Sequence, residues 1–174
     1  MFSGGIRLER LRGEHAPALL AFERANRDYF TRFISDRGDA YFLEFGARLD
    51  ALLAEQDAGI CHFHVVVDDR GELIGRVNLL DVEEGSAELG YRIGERAAGR
   101  GVATEAVAQV CRLAAGAYRL TELTARTNVD NLGSLTVLRR NGFTLVGDEV
   151  VAGRPGVRYR RPLERAGADG PTTV

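Results

Sequence analysis

The chain has 174 residues, enough to bury a core without disulfide or metal staples, and 45 % of them are apolar, which excludes a disordered protein. Its net charge of −2 lacks the basic excess of a duplex nucleic-acid binder, so no nucleic-acid partner is expected. All 23 basic residues are arginine, which removes the lysine that a phosphate-binding P-loop requires after its glycines.

Residues 1–5 lead into a charged segment with no apolar leader region, and no stretch is long and apolar enough to cross a bilayer. The two cysteines, Cys61 and Cys111, lie far apart in apolar stretches and read as buried small hydrophobes. The expectation is a cytoplasmic protein with no membrane partner and no disulfide framework.

Residues 6–11 alternate apolar and charged and predict a strand. Ala18, Leu19, Phe22 and Ala25 recur at helical spacing, predicting one helix over 14–30. Phe42, Phe45, Leu49 and Leu52 predict a second over 41–56, after a break at Gly38-Asp39. Residues 61–67, 73–80 and 87–93, separated by turn sequences, predict an antiparallel meander. A glycine-rich loop at 94–101 leads into a helix with Val102, Ala106, Val110 and Leu113 on one face, followed by a strand at 120–127. That strand–helix–strand run implies a parallel pair with a right-handed crossover. Asn131 caps a short helix that stops at Asn141-Gly142. Residues 143–151 and 157–163 close as a hairpin, and the fold class is α/β (α+β) with a mixed sheet of six to seven strands. Residues 1–163 are expected to form a single domain and 164–174 a disordered tail, since the tail holds almost nothing apolar.

The loop Arg96-Ala97-Ala98-Gly99-Arg100-Gly101-Val102-Ala103 enters a helix. A helix start leaves N–H groups unpaired and carries partial positive charge, while glycines let a ligand approach the backbone. Arg96 and Arg100 add full charges, so the loop reads as a pyrophosphate cradle or as a simple tight turn. A dinucleotide fingerprint would need a third glycine where Thr104 stands, and is rejected.

The pattern Arg-x-x-Gly-x-Gly-x-Ala at 96–103 resembles the acetyl-CoA loop of GNAT acetyltransferases. Asn128-Val129-Asp130-Asn131-Leu132-Gly133-Ser134, followed by Asn141-Gly142-Phe143, resembles the ribosomal-protein alanine acetyltransferase (RimJ/RimL-like) branch of that superfamily. Ile6 to Leu11, Asn26-Arg27 and Ala87 to Gly94 agree, and the resemblance covers residues 5–163. It implies a GNAT fold, acetyl-CoA as co-substrate, no metal, an amine-bearing peptide or small molecule as acceptor, and a homodimer. It further implies that backbone groups of Tyr91 and Ile93 pair with the pantetheine arm and that N–H groups of Arg96, Ala97, Ala98, Gly99, Arg100, Gly101, Val102 and Ala103 hold the pyrophosphate. Asn131 would bond the pantetheine, Ser134 would lie near the thioester sulfur, and Asn26 and Arg27 would face the acceptor.

Amide formation from a thioester needs a neutral amine, a polarised carbonyl and a proton for the departing thiolate. Glu88 is the candidate base, or else a structural partner for an arginine. Many members of the resembled family carry a tyrosine acid where this chain has Leu138, so Ser134 is the candidate acid, or else a first-turn residue bonding backbone. The missing tyrosine keeps open an alternative function, a non-catalytic acyl-CoA-binding or sensor module. His62 and His64, two apart, fit half a metal site or a plain strand surface, and the surface is favoured. His15 is expected on the surface of the first helix. Arg158, Arg160 and Arg161 could guide an acidic peptide or the CoA phosphates, but a solvated edge strand is favoured, and Asp36 and Asp39 could favour a cationic acceptor.

Overall fold

The computed structural model describes residues 4–164. The expectation for the tail therefore lies outside the described residues, Glu164 excepted. Thirteen elements follow in chain order: β1 (Arg7–Arg10), α1 (Ala16–Ala25), α2 (Arg27–Phe30), α3 (Asp39–Leu43), α4 (Phe45–Asp57), β2 (His62–Val67), β3 (Leu73–Glu83), β4 (Ser86–Ile93), α5 (Val102–Ala115), β5 (Glu122–Asn128), α6 (Leu132–Arg140), β6 (Thr144–Val151) and β7 (Arg154–Pro162). Short 3-10 turns at Gly13–His15 and Glu95–Ala97 complete the set.

The strands form one sheet in the order β1-β2-β3-β4-β5-β7-β6. The meander β2-β3-β4 is antiparallel, and β4 pairs with β5 in parallel. The sheet is thus seven-stranded and mixed, as expected for the α/β (α+β) class. The period of 2 along each strand divides its side chains between two helical layers. Val77, Leu79, Ala87, Leu89 and Leu123 pack beneath Val102, Ala106 and Val110 of α5. Phe63 and Val65 pack on the other face with Leu19, Phe22, Phe30, Tyr41, Phe45 and Leu49 of α1–α4.

Several expectations are corrected. The helix expected over 14–30 is broken at Asn26, where φ/ψ are −104°/6°. The Asn26 amide donates to Phe22 O at 2.9 Å and accepts from Glu95 N–H at 2.9 Å, a side-chain alternative to helix continuation. The second helix breaks likewise at Glu44, where φ/ψ are −102°/17°. Strand β7 lies between β5 and β6, so Arg158, Arg160 and Arg161 are not on an edge. Arg160 instead donates to Glu122 at 2.6 Å. His15 is only 11 % exposed at its side chain and bonds Glu9 and the Arg12 N–H.

His64 is not a surface residue either, being 2 % exposed. Its Nδ1 donates to the Val77 carbonyl at 3.1 Å, so its Nε2 accepts from the Tyr118 hydroxyl. Tyr118 accepts in turn from Arg10 at 3.2 Å and stacks on His62 at 3.7 Å. This chain of bonds ties the segment after α5 to β1 and β2. Both cysteines are buried, as expected, and burial raises their thiol pKa values.

Burial, and to a lesser degree the Arg10 charge, pushes His64 down to about 4 from an unfolded value of about 6.5. Between those values the unfolded chain binds a proton that the folded chain refuses. Stability from this residue is therefore complete above about pH 6.5 and falls by on the order of 3 kcal/mol as the pH drops to about 4. Urea midpoints across pH 4–7 should show this slope in the wild type, and it should be missing in His64→Gln.

Candidate active site

The segment joining β4 to α5 spends its first amides on itself. Ala97 and Ala98 donate to Gly94 O and Glu95 O at 3.0 and 3.1 Å, which narrows the expected cradle. No backbone carbonyl among the described residues accepts from Gly99, Arg100 or Gly101. Val102, Ala103 and Thr104 then supply the unpaired amides of the first turn of α5. Gly99 and Gly101 have φ of 73° and 78°, a region that disfavours a side chain, and a Cβ at either would meet nothing within 4 Å. The free amides thus open on unfilled space. Arg96 and Arg100 are exposed and form no ion pair among the described residues. Amides, helix dipole and two free guanidiniums together suit a pyrophosphate.

β4 leaves its partner early. It pairs with β5 only at Ser86, Ala87 and Glu88, after which β5 continues against β7 to Asn128. On its other edge the ladder runs on, and Gly94 N–H donates to Ile74 O at 2.9 Å. Antiparallel bonding alternates, so Arg92 and Gly90 also face β3, while Tyr91 and Ile93 turn their N–H and C=O toward the gap. That gap presents an unpaired strand edge, one turn of chain away from the glycine cradle.

The far side of the gap is the start of α6. Asn131 caps this helix, its Oδ1 accepting from Ser134 N–H at 3.2 Å. The Tyr91 hydroxyl donates to Ser134 Oγ at 3.2 Å, and burial raises the Tyr91 pKa. Leu138 is 1 % exposed, inside the core. Asn141 donates to Thr104 O at 3.2 Å, fixing the end of α6 to the first turn of α5.

On the α1–α4 face, Glu88 accepts from Arg126 at 2.9 Å. Arg126 also lies 3.6 Å from Glu149, and both carboxylates keep its guanidinium charged. The second Glu149 oxygen is buried without a hydrogen-bond partner among the described residues. Sequence reading missed Glu149 and Arg126, since only the pairing of β5 with β7 and β6 brings them to Glu88. Glu88 also lines an open depression of about 670 Å³ with Asp81, Glu83, Thr124 and Arg158. Arg27 is held by Asp36 at 2.7 Å and Asp39 at 2.9 Å, which engages all three of these residues with one another. Among the described residues no group of three or more His, Cys, Asp or Glu could hold a metal ion. No helix among them is long and apolar enough to cross a membrane.

The acetyltransferase (GNAT) domain family matches residues 6–144. The chain belongs to the GNAT acetyltransferase family. It is 31 % identical over 131 residues to a probable N-acetyltransferase, YjcK, of Bacillus subtilis, covering 71 % of this chain and 72 % of that one. Its fold is similar to the ribosomal-protein-S5-alanine acetyltransferase of Vibrio fischeri, with a TM-score of 0.83, 20 % identity, and 90 % and 92 % of the two chains covered. It is also similar to Mycobacterium smegmatis RimJ in complex with a CoA disulfide, with a TM-score of 0.82, 23 % identity, and 90 % and 81 % covered. The GNAT resemblance read from the motifs therefore holds, and the protein is an acetyltransferase.

Losing the cap on α6 should be measurable without any ligand. Asn131→Ala should cost about 1 kcal/mol, as loss of a helix cap does. Calorimetry should register this as a fall of about 2–4 °C in the thermal midpoint.

Proposed function

We infer that this acetyltransferase moves the acetyl group of acetyl-CoA to a primary amine by direct attack on the thioester. The observation that carries the reading is the unpaired edge of β4 at Tyr91 and Ile93, opening beside the α5 cradle. A pantetheine arm has the amide spacing to add to that edge as a strand would. The amides of Gly99 to Ala103 and the charges of Arg96 and Arg100 suit the pyrophosphate. The cap residue Asn131 has a side-chain N–H₂ left for the same arm.

The reaction then needs the chain's own groups in three roles. Glu88, which lines the open depression, takes the proton that the amine loses as its C–N bond forms, directly or through a water, with Glu149 beside it across Arg126. Together they place two negative charges around the single positive charge of Arg126, which favours the approach of an ammonium. A free β4 N–H in the gap receives the developing oxyanion. As the C–S bond breaks, Ser134, bonded to the Tyr91 phenol, supplies the proton to the thiolate. Asn26 and Arg27 act by holding α1, α2 and the cradle loop together at the acceptor side.

The motif at 128–134 supports membership of the Rim-like branch, with a protein N-terminus or small amine as acceptor. The exposed Leu145, Val146 and Val150 of the edge strand β6 are the surface we assign to a homodimer. The alternative, a non-catalytic acyl-CoA module, draws on one observation, the buried Leu138 in place of the family's tyrosine.

Thiol release from acetyl-CoA should be followed over a panel of peptides, polyamines and amino acids. Turnover on one class is expected, falling by about 10²–10⁴-fold in Glu88→Gln, the range for loss of a general base. Thermal stabilisation by acetyl-CoA with no thiol released from any amine would instead favour the binding module.

A further inference from the structure

Three arginines converge on one carboxylate on the acceptor side of the sheet. Arg76 of β3 and Arg92 of β4 stand directly opposite each other in the ladder, an arrangement that is unfavourable for like charges. Glu23 of α1, 1 % exposed, bridges them, with one oxygen 2.8 Å from Arg76 and the other 3.1 Å from Arg92. Arg37, from the segment between α2 and α3, reaches the same carboxylate at 3.4 Å. None of the three guanidiniums meets another carboxylate among the described residues.

Three positive charges against one negative leave two without a counter-charge. Arg76 is buried and paired with Glu23, so the excess positive charge falls on the part-exposed Arg92 and the exposed Arg37, where an anion from solvent can reach it. Burial lowers the Arg92 pKa to about 10, the repulsion of Arg37 adds to this, and Glu23 offsets it only in part. The guanidiniums are also held in place, Arg92 over the Phe30 ring at 4.7 Å and Arg37 over Tyr41 at 4.5 Å. Arg92 and Arg37 line a shallow surface recess, with room for little more than one water-sized group, together with Glu23, Phe30, Ser35 and Phe42. Asp36 lies on the same recess but is engaged with Arg27.

The recess has a fixed relation to the reaction centre. Glu88 and Arg92 point to the same face of β4, four residues apart, which is about 13 Å along a strand. Between them Gly90 has no side chain, and Asn78, its ladder partner, has a buried Oδ1 with no hydrogen-bond donor. Along this face of the sheet, the line from Glu88 to the guanidiniums defines a track of about 13 Å.

Building on the acetyltransferase reading, we propose that the acceptor is a peptide N-terminus carrying an acidic side chain at its second or third residue, whose carboxylate completes the Arg37–Arg76–Arg92 cluster while the α-amine lies at Glu88 and Glu149. The amine and carboxylate of a free amino acid are too close together to span the track. A polyamine would set its second ammonium against the guanidiniums.

The test uses peptides that differ only in having Glu, Gln or Lys at residues two and three, each with a free N-terminus and an amidated C-terminus. Thiol release should give the Glu peptide a kcat/KM at least about ten-fold above Gln, the scale of one charge-assisted hydrogen bond, with Lys lowest. Arg37→Glu, at a partly exposed position, makes the cluster two positive against two negative and should abolish the preference for the Glu peptide. A purely structural cluster would lower the thermal midpoint of that variant and leave the order unchanged. Equal use of the three peptides, or turnover confined to non-peptide amines, overturns the proposal and leaves the enzyme reading intact. Calorimetric binding of the same peptides to the CoA-loaded protein is scored in parallel. Preferential binding of the Glu peptide without thiol release would uphold the arginine site and overturn the enzyme reading; equal binding without release would overturn both.

Discussion

The site depends on β4 parting from β5 after Glu88. A strand inside a sheet normally spends its amides on both neighbours, and an unpaired backbone group must find water or a ligand instead. Here β3 holds one edge of β4 along its whole length, while β5 holds the other for only three residues. The remaining edge, at Tyr91 and Ile93, is left rigid and unsatisfied, which is the property that suits a strand-like ligand. The same departure opens a passage between the two faces of the sheet. The cradle at the start of α5 lies on one side of that passage, and the carboxylates of Glu88 and Glu149 lie on the other.

Charge follows this division. The cradle has unpaired amides with Arg96 and Arg100, and the acceptor side has an ordered sequence of negative and then positive groups. Arginine is suited to the buried part of this arrangement because its guanidinium keeps its charge when desolvated and can bond several partners in one plane. Glu23 serves two purposes in consequence. It makes the cross-strand pair Arg76–Arg92 tolerable, and it fastens α1 to the sheet so that Asn26 can hold the cradle loop at Glu95.

The local features of the site were legible in the chain order. Gly99 and Gly101 adopt the positive φ that their spacing before a helix suggests, and Asn131 caps α6 as its place in the motif implies. Both are decided by residues within a turn of each other. The helices expected over 14–30 and 41–56 were placed correctly but broke at Asn26 and Glu44, because in the first case a partner 69 residues away, Glu95, competes for the side chain. His64 read as surface from alternation alone, and strand order made it interior.

The α/β class, the left-handed glycines before α5, the Asn131 cap and the motif by which the family is recognised could all be read along the chain, since periodicity, glycine conformation and capping act over a few residues. Only the tertiary structure decided which charges meet. Glu88 with Arg126 and Glu149, Tyr91 with Ser134, and Glu23 with three arginines are all contacts between distant segments. Strand order and register create them, and neither leaves a local trace because side-chain pairing across a sheet depends on which strands become neighbours.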